Sequence, residues 1–378
     1  MREVVIFRNN LFRISETFIT EQAQRLRRHT PLYLGRLRYG PAPEGADSLA
    51  LRDLWPHWPW PPIGWQLLSR DPAPYLRLLR GRHPALMHAH FGIDGVYALP
   101  VARALGVPLV TTFHGFDATL STAALMRSPA WMNYPLFRGR LARQGALFLC
   151  VSNFIRDQVL AMGFPAERTR VHYIGVDSRA VRVRPVGEET PTILHVARQV
   201  EGKGAEYLIR AFARIADRHP TVQLHLIGDG PLRTALQALA GSLGLAERIR
   251  FLGALPHGEV LAHMRRAAML VLPSVRAANG WVEGLGMVML EAAATGVPVI
   301  ASRIGGIPEV IVEGQTGLLA PERAPEALAR CMATLLDDGD LRHRMGAQAR
   351  AHIDAHFDIH RQTALLEDLY DEALGHAR

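Results

Sequence analysis

Short β-branched runs alternating with amphipathic helical stretches leave a chain few ways to fold, and the C-terminal half of this sequence is built that way. TILHV (192–196), VQLHLIG (222–228), IRFLG (249–253), MLVLP (269–273) and PVIAS (298–302) read as buried strands. Helical spacing over 204–217, 231–243, 257–266 and 287–296 separates them. Pro231 fits just inside its helix, because a first-turn N–H has no partner to lose. Such strand–helix–strand units imply a parallel sheet with helices on both faces. The N-terminal half repeats the pattern less regularly, with VVIFR (4–8), PLYLG (31–35), ALMHAH (85–90), PLVTTFHG (108–115), ALFLCVS (146–152) and RVHYIGV (170–176) as strands. A helix is expected from Ser15, a plausible N-cap. The polar, breaker-containing run 177–191 reads as a linker. The expectation is an α/β chain of two doubly wound, Rossmann-like domains, 1–178 and 179–357, facing across a cleft. Ligands would sit beyond the carboxyl ends of the strands.

Several function classes fall away on composition. No run approaches the roughly 20 apolar residues of a membrane-spanning helix. The N-terminus enters a strand without a basic–apolar leader, so a cytoplasmic enzyme is expected. Cys150 and Cys331 have neither zinc-site nor disulfide-framework spacing and are expected to be reduced. The net charge of +8 favours anionic partners such as phosphorylated substrates or anionic lipid. Arginine blocks interleaved with aromatics are missing, so nucleic acid is not expected. Of the 43 basic residues, 42 are arginine; the exception is Lys203. Chance is the plain account. The alternative is a position that needs a compact ammonium instead of a planar fork. LWPHWPWPPIGW (54–65) holds four of the six tryptophans and four prolines, and is expected to be an irregular loop. It would dip into a membrane interface, line an acceptor groove, or plug onto its own domain core.

The chemistry concentrates around WVEGLGMVMLEAAATGVPVI (281–300). On one helix Glu283 and Glu291 would lie about 12 Å apart along the axis. That is beyond the roughly 5–9.5 Å of glycosidase carboxylate pairs. Gly284 and Gly286 delay the helix, so Glu283 falls on a loop and Glu291 about one turn into the helix. The helix N-terminus between them is a ready anion seat. Arg198 and Lys203 follow the first strand of the same half. Beside a helix N-terminus they would neutralise a diphosphate leaving group; a surface pair opening a helix is the plainer alternative. His114 ends a strand and either donates to a sugar hydroxyl or satisfies the core. His88 and His90 share a strand face with Asp94 beyond, but a third metal ligand at convincing spacing is missing, so metal is not expected. GDGP (228–231) is a glycine turn and not a dinucleotide fingerprint.

Taken in order, VSNFIRDQVLAMGFPAERTRVHYIGVD, HVARQVEGKGAEYLIRAF, LIGDGPLR, FLGALP, PS and EGLGMVMLEAAATGVPVIASRIGGIPEVI…GQTGLL resemble glycosyltransferase family 4. ISETFITEQ is similar to its colanic acid and exopolysaccharide subgroup. The resemblance implies a GT-B fold, retaining transfer from a nucleotide-sugar to a hydroxyl acceptor, and no metal or other cofactor. It implies that Glu283 reaches the donor sugar, Glu291 the ribose, Arg198 and Lys203 the diphosphate, and His114 the sugar. The amides of Gly286, Met287 and Val288 would complete the phosphate seat, with Leu252 and Ser274 also at the donor. A last helix, about 358–378, would return to the N-terminal domain. RNNLFRISET lacks the glycine pair that many relatives carry after the first strand, which makes Ser15 and Glu16 the candidates for the acceptor or phosphate loop. Ala197 replaces a usual glycine, and Asn279 and Trp281 stand where acidic residues are frequent. A sugar-nucleotide 2-epimerase of the same fold and a noncatalytic nucleotide-sugar-binding protein are the alternatives.

Overall fold

The computed structural model describes residues 1–184, 187 and 189–375. Positions 185, 186 and 188 of the expected linker, and 376–378 of the expected last helix, lie outside the described residues. The chain divides into two compact units, Met1–Gly175 with Ile359–Arg378, and Val176–Asp358.

The first unit holds β1 (Arg2–Phe7), β2 (His29–Gly35), β3 (Asp47–Ala50), β4 (Leu86–His90), β5 (Leu109–Phe113), β6 (Leu147–Cys150) and β7 (Thr169–Val171). All pair in parallel, in the order β3-β2-β1-β4-β5-β6-β7. The second unit holds β8 (Thr192–Val196), β9 (Gln223–Ile227), β10 (Ile249–Gly253), β11 (Met269–Leu272), β12 (Val299–Ser302) and β13 (Gly317–Ala320). These are also parallel, in the order β10-β9-β8-β11-β12-β13. Both sheets reverse their winding once, between β1 and β4 and between β8 and β11. Chains leaving neighbouring strands at such a switch point diverge to opposite faces and open a crevice beyond the carboxyl ends. Edge strands β3 (Asp-Ser-Leu-Ala) and β13 (Gly-Leu-Leu-Ala) add to the expected set; neither holds a β-branched or aromatic residue that would mark it as a strand.

The helices that matter below are α1 (Thr17–Ala23), α2 (Trp60–Ser69), α3 (Gly92–Leu105), α4 (Asn133–Gln144) and α5 (Asn153–Ala161). In the second unit they are α6 (Ala205–Ala213), α7 (Arg233–Ser242), α8 (His257–Arg266), α9 (Met287–Ala294), α10 (Pro325–Asp337) and α11 (Gly339–His356). The last, α12 (Ile359–Gly375), belongs to the first unit and contributes Leu366, Tyr370 and Ala373 to its core. One oxygen of Glu367 accepts the backbone N–H groups of Arg27, Arg28 and His29 at 3.0, 2.6 and 3.1 Å. That carboxylate satisfies the amides entering β2 and pins the helix there.

Two local expectations need correction. Ser15 does not cap a helix: it lies exposed in a 3₁₀ turn, Ile14–Glu16, and α1 begins only at Thr17 without a side-chain cap. The tryptophan-rich stretch is not all loop, since Pro61 and Pro62 occupy the first turn of α2, where a missing N–H costs no hydrogen bond. The described part of the linker is strapped to the second unit. The Arg184 amide donates to Thr295 O at 3.0 Å, its guanidinium donates to Ala267 O, and Arg350 donates to Ser178 O at 2.6 Å.

Candidate active site

In the second unit, the chain leaving β8 runs through Arg198 into a short turn, Glu201–Lys203, and then α6. Gly204 closes that turn with φ +68°, and a Cβ there would lie 1.8 Å from Pro273 O, just beyond β11. Only glycine allows the two loops of the switch point to approach so closely. Gly202 is equally constrained: a Cβ would meet the Trp281 ring at 2.2 Å. The result is a fixed position for Lys203. Its Nζ donates to Glu283 Oε2 at 2.5 Å and sits 4.9 Å from the Trp281 ring centroid. Glu283 Oε2 also accepts from Ser274 Oγ at 3.3 Å, and its backbone oxygen accepts Gly306 N–H at 3.1 Å. The side chains of Lys203 and Glu283 are only 17% and 11% exposed, so the charges meet with little water between them. Beneath them His195 is fully buried, its Nδ1 bonded to Val271 O at 2.8 Å. Burial, with Lys203 nearby, holds its pKa down to about 4, so it stays neutral beside the ammonium.

Helix α9 starts three residues after Glu283's glycine, with Gly286 at its N-cap. Its first turn carries no acidic residue, and Met287 and Val288 are partly exposed. First-turn amides have no acceptor within their own helix and carry the positive end of its dipole. Glu291 lies one turn in, where Oε1 meets His257 Nε2, at the head of α8, at 3.0 Å. Arg198 is exposed and has no side-chain hydrogen bond or ion pair among the described residues. Leu252 is partly buried near the carboxyl end of β10.

In the first unit the switch point between β1 and β4 is filled by a different network. Arg8, just past β1, holds both oxygens of Glu16 at 2.8 and 2.9 Å, bonds Asp94 at the start of α3, and covers the Phe91 ring at 4.4 Å. Asn9 donates to Asp94 from its backbone at 3.1 Å and from its side chain. Burial opposes the Arg8 charge, but Asp94 and Glu16 outweigh it and raise the pKa. His114 Nε2 lies 3.0 Å from His90 Nδ1, its ring stacked among Phe18, His90 and Phe91. Both ring nitrogens of His88 are taken, by Tyr370 at 2.6 Å and Thr112 at 2.7 Å. Burial lowers the pKa of all three histidines well below the usual value. Asp117 accepts the amides of Gly92, His114 and Gly115, and burial lifts its pKa to about 6.

Two family patterns cover the chain: Glycosyltransferase Family 4 over residues 15–179 and Glycosyl transferases group 1 over 178–352. The chain is 38% identical over 310 residues to the D-inositol 3-phosphate glycosyltransferase of Corynebacterium glutamicum (strain R), covering 77% of this chain and 72% of that one. The chain is a family 4 glycosyltransferase. It is also 33% identical over 260 residues to Escherichia coli (strain K12) WcaL, named for glycosyl transfer in colanic acid biosynthesis. That match covers 67% of this chain and 62% of WcaL. Among solved structures, Anabaena Alr3699/HepE in complex with UDP and glucose superposes with a TM-score of 0.78 at 19% identity, over 98% of this chain and 100% of the other. With its two parallel sheets, the glycosyltransferase has the GT-B fold. Like its family, it moves a sugar from a nucleotide-sugar donor.

The structure of this glycosyltransferase joins Lys203, Glu283 and Ser274 in one cluster. It ties Glu291 to His257 and Glu16 to Arg8, contacts that no sequence spacing announced. Ser15 makes no such contact among the described residues. The candidate metal cluster dissolves into other bonds: His88 is saturated and Asp94 is held by Arg8 and Asn9. His195, Arg8 and Asn9 were the residues sequence reasoning left without a role, and Trp281, singled out for sugar selectivity, proves to cover Lys203. The single lysine drew attention to the Glu201–Lys203 turn, and Trp281, two positions before Glu283, was the available hint of a ring above it.

Proposed function

We propose that the enzyme is a retaining hexosyltransferase that takes its sugar from a nucleoside diphosphate donor and passes it to a hydroxyl of a glycan, lipid-linked or small-molecule acceptor. The setting would be extracellular polysaccharide or glycoconjugate assembly on the cytoplasmic side of the membrane. The observation that carries this reading is the Lys203–Glu283–Ser274 cluster at the switch point of the second unit. An ammonium has three N–H donors, and only one is spent on Glu283. The others can meet a diphosphate while the carboxylate accepts sugar hydroxyls, so the pair binds donor without first breaking apart. Val176–Asp358 is then the donor unit, and Met1–Gly175 with α12 the acceptor unit.

In this scheme the acceptor oxygen bonds to the anomeric carbon on the face from which the diphosphate departs, and the leaving phosphate oxygen takes the acceptor proton. Lys203, Arg198 and the amides of Gly286, Met287 and Val288 stabilise the charge that builds on the diphosphate. Those fixed charges are the reason to propose that no metal is required. Glu291 takes the ribose hydroxyls by exchanging its His257 contact, Leu252 borders the base, and His114 donates to the sugar. With Glu16 committed to Arg8, the acceptor loop of the first unit presents a bound ion pair instead of a free carboxylate. The relatives named above act in colanic acid biosynthesis and on D-inositol 3-phosphate, which supports a polyhydroxylated acceptor.

A thermal-shift panel of UDP-, GDP- and ADP-sugars, followed by nucleoside diphosphate release with and without acceptor in the presence of a chelator, tests the reading. One donor should stabilise the protein, and acceptor should accelerate release regardless of chelator. Turnover without acceptor that yields an isomerised nucleotide-sugar would establish the epimerase instead.

A further inference from the structure

Helix α2 is reversed in polarity. Its solvent side carries Trp60, Pro61, Trp65 and Leu68, with Trp58 just ahead, while only Ile63 and Gln66 are buried, Gln66 bonding Arg36. Trp58, Trp60, Trp65 and Leu68 are 76, 62, 64 and 60% exposed. A surface helix that stabilised only its own domain would show the opposite pattern. The end of α2 is tied to the start of α4, since Asn133 Nδ2 donates to Leu67 O at 2.7 Å and to Leu68 O at 3.3 Å. On α4, Leu136 is 60% exposed, and Arg140 and Arg143 follow it at one-turn spacings on the same face.

Where these helices meet α3 lies a surface cavity of about 350 Å³, lined by Arg70, Arg103 and Arg140 with Leu99, Pro100 and Ala104. None of the three arginines has a carboxylate partner among the described residues. Arg103 and Arg140 share the neutral amide oxygen of Gln144, at 3.0 and 3.2 Å. Arg70 reaches only Val96 O at 3.3 Å and stacks on Phe137, and its Nε is buried without a partner. Burial and then the Arg140 charge lower its pKa. Across 120–145 the chain holds four arginines and no acidic residue, and across 54–70 one arginine and none. Other surface arginines of this unit do pair with acids, among them Arg28, Arg38 and Arg82. Like charges held together beside a cavity raise one another's energy until an anion joins them.

We propose that this face of the first unit binds an anionic bilayer surface, with the α2 tryptophans in the interfacial zone and a lipid phosphate in the Arg70–Arg103–Arg140 cavity. Indole rings prefer the boundary between hydrocarbon and water. Arginines at the same level draw the anionic headgroups that a neutral bilayer lacks. The cavity is separate from the donor residues, so this attachment stands whether or not the assigned transfer is correct.

Sedimentation of the full chain with vesicles of phosphatidylcholine alone, or of phosphatidylcholine with phosphatidylglycerol, tests it alongside tryptophan emission. The protein should sediment with the anionic vesicles only, with a blue shift. R103Q/R140Q should weaken partitioning roughly tenfold to thirtyfold at unchanged melting temperature. W60S/W65S should abolish the blue shift. No binding, or equal binding to both vesicles, overturns the proposal. So does inorganic phosphate binding at the arginines without vesicle binding, which would make the cavity a site for a free anion. Self-association that buries the tryptophans without lipid overturns it in favour of a second copy of the chain.

Discussion

Lowering the pH from 7 to 5 should destabilise the first unit more than the second. His88, His90 and His114 are kept neutral there, chiefly by burial and then by one another's charge. Their folded pKa values lie below the unfolded value, so the stability they allow is full above about pH 6.5 and is lost as pH falls. A histidine that takes its proton only on unfolding costs about 2 kcal/mol over this interval. Asp117 works the other way. Its folded pKa of about 6 lies above the ordinary carboxylate value. It gains its proton while folded and returns a little over ~1 kcal/mol. The three histidines net of Asp117 leave a loss of about 5 kcal/mol. His172 adds to that loss and Asp94 subtracts from it. In the second unit His195, held to about 4 by burial, supplies about 2 kcal/mol in the same direction, and the half-buried His225 and His352, also lowered by burial, add to it. Domains are stable by about 5–15 kcal/mol, so the difference is large enough to order the two transitions. Hydrogen exchange followed by mass spectrometry at pH 7 and pH 5 reads it directly. Peptides from β4 and β5 should lose protection before those from β8 and β11. Earlier loss in β8 and β11, or unchanged protection everywhere, would refute the reasoning.

Gly204→Ala must move the Pro273 carbonyl and hold alanine at φ +68°, which should cost about 2–4 kcal/mol and weaken donor affinity; denaturant titration and calorimetry check both. Lys203→Arg should recover little activity despite keeping the charge, because a planar fork does not fit between the Trp281 ring and Glu283; turnover equal to the wild type would show that any cation serves. Tyr370→Phe leaves a buried His88 nitrogen unpaired and should cost about 1–3 kcal/mol in denaturant unfolding, with donor binding unchanged.

The sheet of the second unit could be read in advance because its central strands are buried and rich in Ile, Leu and Val, with β11 (MLVL) an unbroken apolar run. His88 and His90 hide the same signal in β4, where Tyr370 and Thr112 bond the ring of His88 and His114 bonds that of His90, all contributed by other parts of the chain. In the second unit, Glu283, Glu291 and Lys203 stood out through glycine spacing and the rarity of lysine, both local properties. The partners that fix them, Trp281 over Lys203 and His257 on Glu291, depend on loops brought together only by the folded sheet. Arg8 was invisible for the same reason: one arginine among 42 becomes distinctive only when Asp94, 86 positions later, closes on it. The α2 helix was missed because four prolines read as breakers, although a helix tolerates two of them in its first turn.

The central claim is that the Lys203–Glu283 pair meets the donor and stabilises its departing diphosphate. Single-turnover release of nucleoside diphosphate by Lys203→Met and Glu283→Gln, with the donor that gives the largest thermal shift, tests it most directly. Both variants should keep the wild-type fold by circular dichroism, and each should lose about 10²–10³ in rate, the usual cost of removing one group aimed at transition-state charge. Rates within a few-fold of the wild type in both folded variants would contradict the account.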